Sequence, residues 1–206
     1  MGNKSHFFRQ SSGLNLLADY KFNNNLIDDA NGYNLTGTDI TYNNNSAVFN
    51  GKTSEARRSD ANDIFSFTDG VSDLPFRIEL SVKFNAVSNS YQFITTKRDS
   101  ISSEWQIFYY NNSISIVLWQ NNSIFIQKGC SISPSTSQNY NIIIDYDGNG
   151  IDGLNISVDG VDGTIQTETG NYTGMNKTQT DLLIGSFDVV NNYKLDGEID
   201  YLKIYK

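Results

Sequence analysis

One cysteine, one histidine and two prolines in 206 residues set the first limits, together with a shortage of positive charge. A lone Cys130 cannot close an intramolecular disulfide, so the fold has to rest on its core. His6 lies in a polar N-terminal stretch, so soft metal sites and the Ser/His/Asp or Cys/His triads lose their usual member. Fifteen Lys and Arg against 23 Asp and Glu give a net charge of −8, and no basic face can be assembled for nucleic acid. No apolar run approaches the length of a membrane span, which argues against insertion. The opening "MGNKSHFFRQSSG" lacks a signal-peptide apolar stretch, and His6 stands where a myristoylation signal needs Ser or Thr. The expectation is a product that stays where it is made unless a larger particle carries it. Asn-x-Ser/Thr triplets recur, but an Asn- and Ser-rich composition produces them without any secretory meaning.

Aromatic and β-branched residues are what the chain does have. Twelve Tyr, twelve Phe and 38% hydrophobic residues suffice for a packed core, which excludes global disorder. Residues 1–13 read as a polar, extended N-terminal arm. From Leu14 onward the segments are short, alternating and bounded by Asn, Asp and Gly, and no helical apolar stripe lasts three turns. Residues 14–206 therefore read as a single all-β domain.

The stretch "EWQIFYYNNSISIVLWQNNSIFIQKG" has the clearest local geometry. Asn tolerates the positive φ of a two-residue hairpin turn, so Asn111-Asn112 and Asn121-Asn122 predict a three-strand meander. The first turn sets Tyr109 against Ile114, Ile107 against Ile116 and Trp105 against Leu118; the second sets Leu118 against Phe125. The other face carries Phe108, Tyr110, Val117, Trp119, Ile124 and Ile126, relieved by Gln106, Ser113 and Ser115. Both faces are apolar, so one is core and the other is covered by a loop or arm, or meets a partner or ligand; the sequence leaves open which.

Four segments in order resemble the concanavalin A-like jelly roll, in its laminin-G-like and pentraxin-like branch. They are "LLADYKFNNNLIDDANGYNLTG" with "AVFNGKTS", then "LPFRIELSVKF" with "QFITTKRD", then "YNIIIDYDGNGIDGLNISVDGVDG", and finally "LLIGSFDVVNNYKLDGEIDYLKIYK". Their order and spacing, from Leu14 to Lys206, carry the likeness. The resemblance implies two stacked antiparallel sheets, with the last strand pairing with the first and the termini close together. It implies much less about activity, because the fold hosts lectins, adhesion modules, pentraxins, glucanases and virus-particle proteins.

Several sites can be weighed. Glucanases of this fold carry Glu-x-Asp-x-x-Glu on one strand, which aims its acids into a cleft. Here Glu198 and Asp200 are followed by Lys203 in place of the last acid, so the expectation is no enzyme. Asp28-Asp29 and Asp159 with Asp162 fall in turns, where Asp bonds its own backbone. "DGNGIDG" lacks the Lys-Ser/Thr and helix of a phosphate cradle. Asp145, Asp147, Asn149 and Gly150 match the first half of an EF-hand loop, but the twelfth position is Ile156 and the flanks are strands. A hairpin turn is the expectation, with no cofactor required, although Asp147, Asn149 and Asp152 could hold calcium weakly. For a glycan, Trp119, Tyr110 and Phe108 offer an aromatic platform beside Gln106.

The reading is a non-enzymatic binding or decoration module that contacts glycan or protein. An Asn-rich surface, no disulfide, no export signal and a tail-like N-terminus suit a bacteriophage virion component, such as a capsid decoration or fibre protein, within a larger assembly. The alternatives are a glucanase-type hydrolase and a purely structural subunit whose second apolar face is an oligomer interface.

Overall fold

Alternation decides the interior. Phe76, Ile78, Leu80, Val82 and Phe84 share one face of a nine-residue run and are all buried, while Arg77, Glu79 and Lys83 stay on the other. A computed structural model describes residues 13–88, 90–98, 102–187 and 193–206. The N-terminal arm expected over residues 1–13, His6 included, lies outside the described residues except for Gly13.

In chain order the strands are β1 (Leu16–Tyr20), β2 (Thr36–Thr38), β3 (Thr41–Asn43), β4 (Ser46–Asn50), β5 (Glu55–Arg58), β6 (Phe76–Phe84), β7 (Gln92–Arg98) and β8 (Ser103–Tyr110). They continue as β9 (Ser113–Trp119), β10 (Phe125–Ser131), β11 (Asn139–Tyr146), the single helical turn α1 (Gly150–Gly153), β12 (Leu154–Val158), β13 (Val161–Asp162), β14 (Ile165–Thr169), β15 (Leu182–Ile184) and β16 (Asp196–Tyr205). The first sheet runs β13-β12-β11-β6-β16-β4-β3, with β1 also on β16; the second runs β14-β10-β9-β8-β7-β15-β5-β2. The strands of each sheet pair antiparallel, and the two sheets form a jelly-roll sandwich.

The closing strand holds the first sheet together. β4 pairs with Asp196–Ile199 and β1 with Leu202–Tyr205, so the two lie end to end along one edge of β16. Asn15 and Lys206 exchange backbone hydrogen bonds at 3.0 Å, which brings the first and last strands together as the resemblance implied.

Aromatics join the layers. Phe84 of the first sheet meets Tyr109 of the second at 4.9 Å between ring centres, and Phe67 packs between Phe76 at 4.0 Å and Trp105 at 5.4 Å. The Trp105 indole N–H donates to the Phe65 carbonyl at 3.0 Å, so its one polar atom is satisfied in the core. Gly185, just past β15, holds φ +74°, and a Cβ there would overlap the Phe49 ring. Only glycine fits there.

One charged cluster is sealed inside. Lys97, Asp60 and Glu104 are fully buried, with Lys97 Nζ 3.0 Å from Asp60 Oδ2 and 3.5 Å from Glu104 Oε2. Lys97 also donates to the carbonyls of Thr178 and Thr180, while Glu104 accepts from Ser66 Oγ, Phe67 N and both Thr178 N and Oγ1. The cluster ties the segments around residues 60–67 and 178–180 to β7 and β8.

Candidate functional site

The meander β8-β9-β10 supplies both the core face and the site. Asn111 and Asn112 take φ +48° and +59°, so a two-residue turn sets Tyr109 against Ile114, Ile107 against Ile116 and Trp105 against Leu118. Those six residues are fully buried between the sheets, which fixes the inner face.

The second connection differs from the two-residue turn expected at Asn121-Asn122. Among the described residues neither of these Asn has positive φ. Instead Asn121 Oδ1 accepts from the N–H groups of Ser123 and Ile124, and five residues separate Trp119 from its partner Phe125. The register therefore slips by one: Leu118 faces Ile126, and Phe125 moves to the outer face beside Trp119. Ile126 joins the core, and Ile124 sits in the loop against Gly170.

The outer face of the second sheet carries a groove of about 310 Å³. Phe93 and Arg98 reach it from β7, Gln106 and Phe108 from β8, Val117 and Trp119 from β9, and Phe125 and Gln127 from β10; Tyr91, Phe187 and Tyr193 flank it. Phe93, Phe108, Val117 and Phe187 form an apolar cluster separate from the main core. Phe93 stacks on Phe187 at 5.0 Å, and Trp119 meets Phe125 at 4.7 Å with the rings tilted by 50°. The Arg98 guanidinium lies 5.0 Å from the Trp119 ring centre and 4.7 Å from that of Phe187, and its Nη1 donates to Gln106 Oε1 at 2.8 Å.

The glycan candidates Trp119, Phe108 and Gln106 thus line one groove. Tyr110 stands at its end and is 38% exposed, stacked flat on Tyr91 at 4.0 Å. Burial, then the neighbouring Tyr110 and Tyr193, raises the Tyr91 phenol, so it stays a neutral donor. Sequence reasoning missed Arg98, Phe93, Phe125 and Gln127, and the flanking Tyr91, Phe187 and Tyr193. The cause for Phe125 is loop length. For Phe93 and Arg98 it is a bulge at Ile94: Phe93 opposes Phe108, but Thr95 then opposes Ile107, so the faces exchange.

The "DYDGNGIDG" loop joins β11 to β12, whose ends pair as Tyr146 with Leu154, so it is a hairpin connection holding one helical turn. Asp145 faces away and is bidentate on Arg77 Nη1 at 2.8 and 2.9 Å. Asp147 Oδ1 accepts from Asn149 N at 2.9 Å and sits where a Cβ on Gly153 would fall, while Asp152 lies in the first turn of α1. Among the described residues no group of three or more His, Cys, Asp or Glu is placed to hold a metal. The loop is anchored instead by Asp73, which accepts from Tyr146 Oη and Tyr172 Oη at 2.7 Å and from Met175 N at 2.5 Å. Burial and the Asp73 carboxylate raise both phenols strongly, so both stay protonated donors.

The acids of the closing strand sit on the outer face of the first sheet. Glu198 pairs with Lys83 at 3.3 Å. Asp200 is the extra residue of a bulge and accepts from Ser46 Oγ at 2.6 Å, Ser81 Oγ at 2.8 Å and Asn139 Nδ2.

No protein-family model and no curated protein matches the chain. Solved structures do. Domain 4 of AbnA, a GH43 extracellular arabinanase from Geobacillus stearothermophilus, in complex with arabinotriose, is 19% identical with a TM-score of 0.61, covering 94% of this chain and 93% of that one. A structure of botulinum neurotoxin type C, whose cell entry depends on interaction with two ganglioside molecules, is 16% identical with a TM-score of 0.65, covering 92% and 47%. The binding domain of botulinum neurotoxin DC, in complex with rat synaptotagmin II, is 15% identical with a TM-score of 0.65, covering 92% and 48%. The chain spans about half the length of these neurotoxin structures. At such identities the likeness is one of fold.

Proposed function

We propose that the chain is a non-enzymatic carbohydrate-binding module, of the laminin-G-like branch of its fold, that takes a glycan along the outer groove of the second sheet. The observation that carries this reading is the groove itself: aromatic walls for the C–H faces of sugar rings, with Gln106 and Gln127 beside them for hydroxyls. The groove crosses four strands, β10 to β7, a width of about 14 Å and room for roughly three sugar rings. Among the described residues no carboxylate lines it, which favours binding over hydrolysis. The arabinotriose bound to the arabinanase domain and the gangliosides of the type C toxin support carbohydrate as the ligand class for this fold.

The proposed setting is the surface of a larger assembly, a bacteriophage particle foremost, and detection of the polypeptide in purified particles tests that part. Exposed Tyr91, Tyr110 and Tyr193, at 36–38% exposure, favour a second reading in which the same face meets a protein or another subunit. A glycan array read with wild-type protein and Trp119→Ala separates the two. Retention of a glycan that the variant loses supports the carbohydrate reading; an array silent with wild-type protein overturns it.

A further inference from the structure

We propose that the glycan is a linear chain long enough to outrun the groove, and that the stacked pair Tyr91 and Tyr110 forms a further sugar subsite at the groove's exposed end. This rests on the carbohydrate reading and extends it. The aromatic line is continuous and runs diagonally over the strands. Trp119 and Phe125 stand at one end, Phe93 and Phe108 follow with 5.9 Å between ring centres, and Tyr91 comes next at 5.3 Å from Phe108. Tyr110 is level with Ser113 at the start of β9, and Trp119 ends that strand. The line therefore spans about 20 Å along the strands, room for roughly four to five sugar rings where the straight crossing holds roughly three.

Burial changes along this path. Phe93 and Phe108 are buried in its floor, whereas Tyr91, Tyr110 and Tyr193 are each more than a third exposed. Tyr91 covers one face of the Tyr110 ring, at 4.0 Å with 5° between the planes. Among the described residues no ring covers the other face, and Ser113, its neighbour on β9, is too short to reach over it. An exposed aromatic face beside a short neighbour is a platform for the C–H side of a sugar ring, and a ring lying on it takes that apolar surface out of water. The hydroxyls are uncommitted as well. The phenols of Tyr140, Tyr146 and Tyr172 donate to protein acceptors, while among the described residues those of Tyr91, Tyr110 and Tyr193 have no protein partner. Three free phenols at one end of an aromatic path meet sugar hydroxyls without breaking any bond of the fold.

Calorimetric titration of the full chain with arabinotriose, arabinohexaose, cellotriose and cellohexaose tests this. In at least one series the hexaose binds about tenfold more tightly than the triose. Part of such a gain is statistical, because a hexaose offers several frames to a shorter site, and Tyr110→Ala separates the parts. In that variant hexaose affinity falls about fivefold, while triose affinity, set at the Trp119 end, is unchanged. Tyr110→Phe keeps most of the gain, as stacking requires, and Trp119→Ala weakens both lengths. Unchanged triose binding also shows that the Tyr110→Ala chain is folded. Equal affinities for triose and hexaose overturn the proposal, as does binding of none of the four. A Tyr110→Ala loss shared equally by both lengths overturns it too, because that marks a structural role. The carbohydrate reading is judged apart, on the array, where a short glycan retained through Trp119 sustains it even if the extension fails.

Discussion

Lys97 and Arg98 are consecutive on β7 and point to opposite faces of the second sheet. Lys97 is sealed against Asp60 and Glu104, and Arg98 stands in the groove over Trp119. The bulge at Ile94 sets this arrangement: strict alternation from outward-facing Phe93 would have turned Lys97 out and Arg98 in. A second shift between Lys97 and Arg98 makes Glu104 the extra residue on β8, where its carboxylate reaches Lys97.

The buried cluster predicts a large cost for losing its cation. Lys97→Met leaves the sealed Asp60 without its cation and removes the donor to the Thr178 and Thr180 carbonyls, so stability falls by about 3–5 kcal/mol, measured by urea unfolding. A loss below about 1 kcal/mol would show that the cluster contributes little beyond its hydrogen bonds.

Burial pushes the Glu104 carboxyl up to about 7, against the lowering pull of Lys97 and of the donors Thr178, Ser66 and Phe67. A folded value above the unfolded 4.5 means that the native state holds a proton the unfolded chain has released. The resulting stability is complete below 4.5 and is lost as pH rises through about 7. Unfolding free energy measured across that window should fall more steeply with pH in wild-type protein than in Glu104→Gln. Parallel curves would contradict the assignment.

Asp28 works in the opposite sense. Burial raises it, but the N–H groups of Asp19, Ala30, Tyr33 and Asn31 donate to it at 2.7–3.0 Å and hold it below the ordinary 3.8. Its contribution is present above 3.8 and is lost as pH falls through the lower native value. Asp28→Ala should cost about 3 kcal/mol at neutral pH by leaving four donors without an acceptor, with Asn recovering part. Equal stability of wild type and Asp28→Ala would contradict it.

The loop after Tyr146 is held by Asp73 and two phenols, so calcium should shift the melting temperature by less than about 2 °C. A larger shift that disappears in Asp147→Ala would show that Asp147, Asn149 and Asp152 gather around the ion.

The sheets were legible because their signals are local. Alternation in Phe76–Phe84 and the Asn111-Asn112 turn each express a period or a φ requirement within a few residues. The groove was only half legible. Trp119, Phe108 and Gln106 follow from a turn that could be read, whereas Phe125 depends on Asn121 capping a longer loop and Arg98 on a bulge without a composition mark. Tyr91, Phe187 and Tyr193 come from outside the meander, which only the tertiary fold brings together. The aromatics were visible one strand at a time, and their convergence was not.

In the proposed function a glycan sits against Trp119. The chain has two tryptophans, one in the core at Trp105 and one in the groove, so their indole N–H resonances report inside and outside separately. In a proton–nitrogen NMR titration with the strongest glycan from the array, the Trp119 indole signal should shift saturably while that of Trp105 stays in place. A Trp119 signal unmoved at saturation, with perturbations elsewhere on the molecule, would contradict it.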